Sequence, residues 1–103
     1  MEWLEPWRPV AGEEATGLER VLRREAGPDH ELHELPVRAL ARRNDCDDVL
    51  FAIDDGTGRV VDVHLTWTQD PPERAPWPIA IFFPSFDVWR RDGMQSDHDD
   101  LAS

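Results

Sequence analysis

Apolar and polar residues alternate through Asp48–Trp67. Val49, Phe51 and Ile53 interleave with Leu50 and Ala52, and Val61, Val63, Leu65 and Trp67 interleave with Asp62, His64 and Thr66. A period of two is the signature of a strand with one buried face. Between the two runs, Asp54-Asp55-Gly56-Thr57-Gly58 supplies turn chemistry, so the stretch predicts a β-hairpin with Phe51 opposite Val61 and Val49 opposite Val63. Val37–Arg43 alternates in the same way, Val37, Ala39 and Ala41 against Arg38, Leu40 and Arg42, and Asn44-Asp45-Cys46-Asp47 turns it into the hairpin. Ile79–Phe83 is short and β-prone and adds a fourth strand. Short connections between neighbours predict an antiparallel meander of three to four strands.

Helical spacing appears twice. Gly12, Glu13 and Glu14 open the first helix with acidic residues suited to its dipole; Leu18, Val21, Leu22 and Ala26 form its apolar face, and Gly27-Pro28 ends it. Ser85 is the expected N-cap of a short second helix through Asp92, carrying Phe86, Val88 and Trp89 and stopped by Gly93. Pro6 and Pro9 forbid a long helix over residues 1–10, while Trp3, Leu4 and Trp7 need cover, which predicts an extended arm lying on the core. Asp29–Pro36 reads as a connection with core contacts at Leu32 and Leu35, Gln69–Pro78 as an irregular loop of four prolines around Trp77, and residues 94–103 as a disordered acidic tail. The fold class is α+β, one domain over residues 1–103, with both helices mainly on one face of the sheet.

That face collects Val49, Phe51, Ile53, Val61, Val63, Leu65 and Trp67 with Val37, Ala39 and Ala41. The other carries Arg38, Leu40, Arg42, Leu50, Ala52, Val60, Asp62, His64 and Thr66, and is half apolar. A one-residue slip would bury charge, so the patterning defines the register. Two readings of the mixed face stand: it meets a partner, or the arm bearing Trp3 and Trp7, or the loop bearing Trp77, covers it.

Charge changes this picture. Twenty-two acidic residues against eleven arginines and no lysine leave a net charge of −11 in 103 residues. Such an excess opposes binding to nucleic acid or an anionic membrane and favours a basic partner. Cys46 is the single cysteine, so neither an internal disulfide nor a cysteine metal cluster can form. The start Met-Glu-Trp-Leu-Glu-Pro is neither a signal nor a transit peptide, and a cytoplasmic protein is expected.

Two constellations offer chemistry. His30 and His33 in the HELHE stretch resemble metal ligands, but they lie three apart beside Pro28 and Pro36, not four apart as in a zinc-protease helix, and a third ligand would have to come from His64 or His98. Asp62, His64 and Thr66 share one side of a strand, with Arg38 or Arg42 within reach across the sheet, a combination able to bind an anion or move a proton. Neither a nucleophile elbow nor a glycine-rich phosphate loop accompanies them. The acidic clusters do not match a calcium loop, and Cys46 reads as an inert turn thiol. No cofactor is expected.

DDVLF (Asp47–Phe51), VHLTW (Val63–Trp67), Trp77-Pro78 and the pair Phe86/Trp89 resemble a group of short uncharacterised bacterial proteins, over most of the chain. The resemblance implies a bacterial cytoplasmic domain and transfers no activity. On size and charge, the expected function is non-catalytic binding, of the kind seen in small acidic inhibitor or immunity proteins, through Arg38, Arg42, Asp62, His64 and Thr66. The alternatives are a small hydrolase, metal-dependent or using histidine, and a self-associating structural protein that forms a homodimer.

Overall fold

The structure is a computed structural model that describes residues 3–28, 30–67 and 78–102. The expected loop around Trp77 lies outside the described residues except for Pro78. In chain order the elements are β1 (Trp7–Pro9), α1 (Gly12–Glu25), β2 (Val37–Arg43), β3 (Asp48–Ile53), β4 (Val60–His64), β5 (Ile79–Phe83), α2 (Phe86–Trp89), a π-helical segment Arg90–Met94 and α3 (Gln95–Ala102). The strands form one antiparallel sheet in the order β1-β2-β3-β4-β5. The α+β meander is therefore present with five strands, not three or four. The extra one comes from the proline-flanked arm, where Trp7 pairs with Arg43 and Pro9 with Ala41. Proline is tolerated at that edge because an edge strand leaves one row of its backbone groups unpaired.

The hairpin register is the expected one, Phe51 opposite Val61 and Val49 opposite Val63. Gly56 and Gly58 take positive φ in its turn, a conformation that glycine adopts without a steric penalty. Beneath one sheet face α1 buries Ala15, Leu18 and Leu22 against Val37, Ala39, Val49, Phe51, Ile53, Val61 and Val63. Arg23 and Arg24 in its last turn and Glu13 and Glu14 in its first suit the helix dipole.

The second helical segment does not join α1. Trp89 and Met94 pack on the opposite face with Trp7, Ala41, Leu50 and Val60, flanked by Trp3, Leu4, Leu40, Phe83 and Phe86. This corrects the expectation that both helices share a face. β2 contributes to this, since its pairing steps from Ala39 opposite Phe51 to Ala41 opposite Leu50, a β-bulge at Leu40. Leu40 and Ala41 both turn to the second face, which then carries enough apolar surface to require a helix over it. The aromatic rings there interlock, with Trp7 edge-on to Trp89 at 5.0 Å between centroids and Trp3 edge-on to Phe86 at 5.8 Å.

Ser85 caps α2 by accepting the Val88 N–H at 3.1 Å. Gly93 is not a stop: the chain widens into the π-helical segment and continues as α3 to Ala102, where the sequence suggested a disordered tail. Contacts from Met94 and Asp97 and the 2.7 Å hydrogen bond from His98 Nδ1 to the Glu5 carbonyl hold this helix down. Gly93 is needed because a Cβ there would lie 2.8 Å from Trp89 Cδ1. Since Trp89 is fully buried, Gly93→Ala forces the indole to move. It is expected to cost about 2 kcal/mol in chemical denaturation, whereas Gly17→Ala, with open space around its Cβ, stabilises α1 by up to about 1 kcal/mol.

Candidate functional site: a carboxyl cluster at one end of the sheet

The bulge also changes which arginine faces the polar residues of β4. Arg42 pairs with Val49 and lies on the α1 side, where its guanidinium is 3.5 Å from Glu14. Glu14 is held below the usual carboxylate range by its hydrogen bonds to Arg8. Arg43 takes the place expected for Arg42. It pairs with Trp7 at the sheet end, makes a bidentate pair with Asp45 at 2.8 Å on both bonds, and reaches Asp97 of α3 at 3.3 Å. Trp7 Nε1 donates to the other Asp97 oxygen at 2.8 Å.

Asp62 and His64 remain together. β3 places Asp48 opposite His64, and the imidazole Nδ1 is 2.7 Å from Asp48 Oδ1, the N–H donating to the carboxylate. Asp62 hydrogen-bonds the same Asp48 carboxylate. Burial, above all, and then the negative charges of Asp48 and Asp97 push the Asp62 carboxyl up to about 8, while Arg43 pulls the other way. Asp62 thus carries a proton at neutral pH and donates it to Asp48, because a buried carboxyl beside a second carboxylate cannot stay ionised cheaply. Asp45 goes the opposite way, lowered by its hydrogen bonds to Arg43. Burial raises the Cys46 thiol, which therefore stays protonated at neutral pH.

The other expected site residues are dispersed. Thr66 lies beyond β4 and donates its backbone N–H (2.8 Å) and hydroxyl (3.0 Å) to Glu25 Oε1, while Trp67 N–H donates to Glu25 Oε2 at 2.7 Å. Glu25, the last residue of α1, is wholly buried. Arg38 sits at the far end of the mixed face, 3.4 Å from Asp54, on the rim of a cleft of about 550 Å³. Trp3, Leu40, Ala52, Val60 and Phe86 form the apolar part of that cleft, and none of the carboxyl-cluster residues lines it. Proton-transfer groups and concavity are therefore in different places.

His30 and His33 do not converge. His30 Nδ1 accepts the Leu32 N–H at 3.0 Å, so its Nε2 is the donor to the Pro78 carbonyl at 2.6 Å. His33 Nδ1 donates to the Ala26 carbonyl at 3.3 Å. Both imidazoles hold loop backbone, and among the described residues no group of three or more His, Cys, Asp or Glu side chains is placed to hold a metal ion. Arg43, Asp48 and Asp97 belong to the cluster without being among the residues expected there. Asp48 was legible, since the hairpin register places it opposite His64; Arg43 needed the bulge, and Asp97 needed the helix over the second face.

No known protein family, curated protein or solved structure matches the chain. Among the described residues no helix is long and apolar enough to cross a membrane.

Proposed function

We propose that the protein is a non-catalytic acidic binding protein whose carboxyl-rich sheet end receives a basic segment of a partner protein. The observation that carries this reading is the crowding of Asp45, Asp62 and Asp97 about one arginine, Arg43, with Asp48 hydrogen-bonded to Asp62. Asp47 adds a further acid in the same turn. The opposite end of the mixed face balances its charges, Arg38 with Asp54 and Arg59 with Asp55, whereas Arg43 at the carboxyl-rich end faces more than one acid. A partner guanidinium or ammonium there would meet a negative field and favour ionised Asp62.

Calorimetric titration with an oligoarginine peptide tests it. Replacing Asp45 and Asp47 by Asn is expected to weaken binding about fivefold or more at low salt, and a control pair, Glu13→Gln with Glu31→Gln, by less than about twofold at the same net charge. Wild-type affinity should fall with added salt and rise with pH as Asp62 gives up its proton. Equal losses in the two double variants, or no pH dependence, would exclude the carboxyl end as the docking site.

A further inference from the structure

The two edges of the sheet are built differently. β1 is three residues long and ends in Pro9, so it offers little backbone for pairing. β5, Ile-Ala-Ile-Phe-Phe, pairs with β4 on one side and with no described strand on the other. It contains no charge and no proline in a chain that is 32% charged, and Ile79 and Ile81 are exposed at 36% and 57%. An apolar, uninterrupted edge of this kind is a template for another strand, and protected edges normally carry a charge, a proline or a bulge.

We propose that β5 pairs antiparallel with β5 of a second copy of this chain, joining two five-stranded sheets across a two-fold axis. The prolines on either side, Pro78 and Pro84, lack an N–H, so pairing is confined to the five residues between them. Only the register centred on Ile81 pairs all five. In that register Ile81 meets its own copy and Ile79 meets the copy's Phe83, all on the α2 side of the sheet. Ala80 meets the copy's Phe82 on the α1 side, small against large. Every cross-strand pair is apolar, and the isologous arrangement closes at two copies.

The field of the molecule opposes this pairing. Asp62 lies next to Ile81 across the sheet, so the two carboxyl clusters would stand about 14 Å apart, three strand spacings. Added salt screens them. Self-pairing should therefore strengthen with salt, opposite to the binding of a basic segment, and the two associations can be told apart by that sign alone.

The test is sedimentation equilibrium over a wide concentration range at low and high salt, on wild type and Ile81→Lys. Ile81 is over half exposed, so the variant should keep the wild-type circular dichroism while placing two ammonium groups face to face on the axis. The expected result is a wild-type dimer favoured by salt and a dissociation constant raised at least about tenfold in Ile81→Lys. Hydrogen exchange on the wild type alone serves as a second readout: amides within 79–83 should gain protection as concentration rises. A wild type that stays monomeric, a dimer untouched by Ile81→Lys, or exchange at 79–83 independent of concentration would each overturn the proposal.

Discussion

Asp62→Asn is expected to make the protein more stable at alkaline pH and to leave it nearly unchanged in mild acid. The folded protein holds the Asp62 proton up to about pH 8, whereas an unfolded chain releases it near the ordinary aspartate value of about 4. Between those two values the folded state binds more protons than the unfolded state, so wild-type stability falls as pH rises through the window and levels off above it. Asparagine removes that slope and keeps an N–H to donate to Asp48. The advantage of the variant should grow from near zero at about pH 4 to about 5 kcal/mol by about pH 8.5. Urea denaturation of both proteins at the two ends of the window measures it, and parallel stability profiles would show that Asp62 carries no excess proton. Burial and Asp48 set most of the effect, with Asp97 adding to it and Arg43 opposing it. Asp97→Asn should lower the point at which wild-type stability levels off, because it removes one of the charges that raise Asp62.

The largest loss of stability is expected at Glu25. A carboxylate at the last position of a helix is unfavourable to the dipole, and this one is fully buried, so only its partners keep it there. It accepts the Trp67 N–H at 2.7 Å, with the Thr66 N–H and hydroxyl on its other oxygen. Trp67 itself has a φ of +58°, a left-handed conformation that a bulky residue adopts only when held. Glu25→Ala removes the acceptor of the Trp67 N–H and leaves a void at the sheet end, with an expected cost of about 4 kcal/mol. Glu25→Gln retains an acceptor oxygen but turns an NH₂ toward one donor, for about 2 kcal/mol. Chemical denaturation gives both values. Loss of hydrogen-exchange protection at the Thr66 and Trp67 amides would separate this clamp from a general effect on α1, and a cost below about 1 kcal/mol for Glu25→Ala would refute it.

Glu25 also shows where a reading of the chain stops short. Ala15, Leu18, Leu22 and Glu25 are the buried positions of α1, and their spacing is regular, yet a glutamate in that series reads as a surface residue until its donors, some forty positions later, are brought beneath it. Leu40 is the second case. Strict alternation assigns Arg42 to the polar residues of β4, and one extra residue in β2 gives that place to Arg43. Nothing in the triplet Leu40-Ala41-Arg42 distinguishes the bulged from the regular strand, because alanine fits either face.

What the chain determines by itself is local and periodic: the bounds of β2 and β5, the hairpin register, the amphipathic α1 and the Ser85 cap. Each depends on residues within a few positions of one another, and a period of two or of 3.6 is enough to place the buried side. The tertiary structure alone decides which element covers the second face, that the arm becomes a strand, and which carboxyls crowd around Arg43. The Trp7–Asp97 hydrogen bond joins residues 90 positions apart. The pattern of a strand says that a face must be buried, not by what, and that choice belongs to packing between segments that carry no mark of each other in their own sequence.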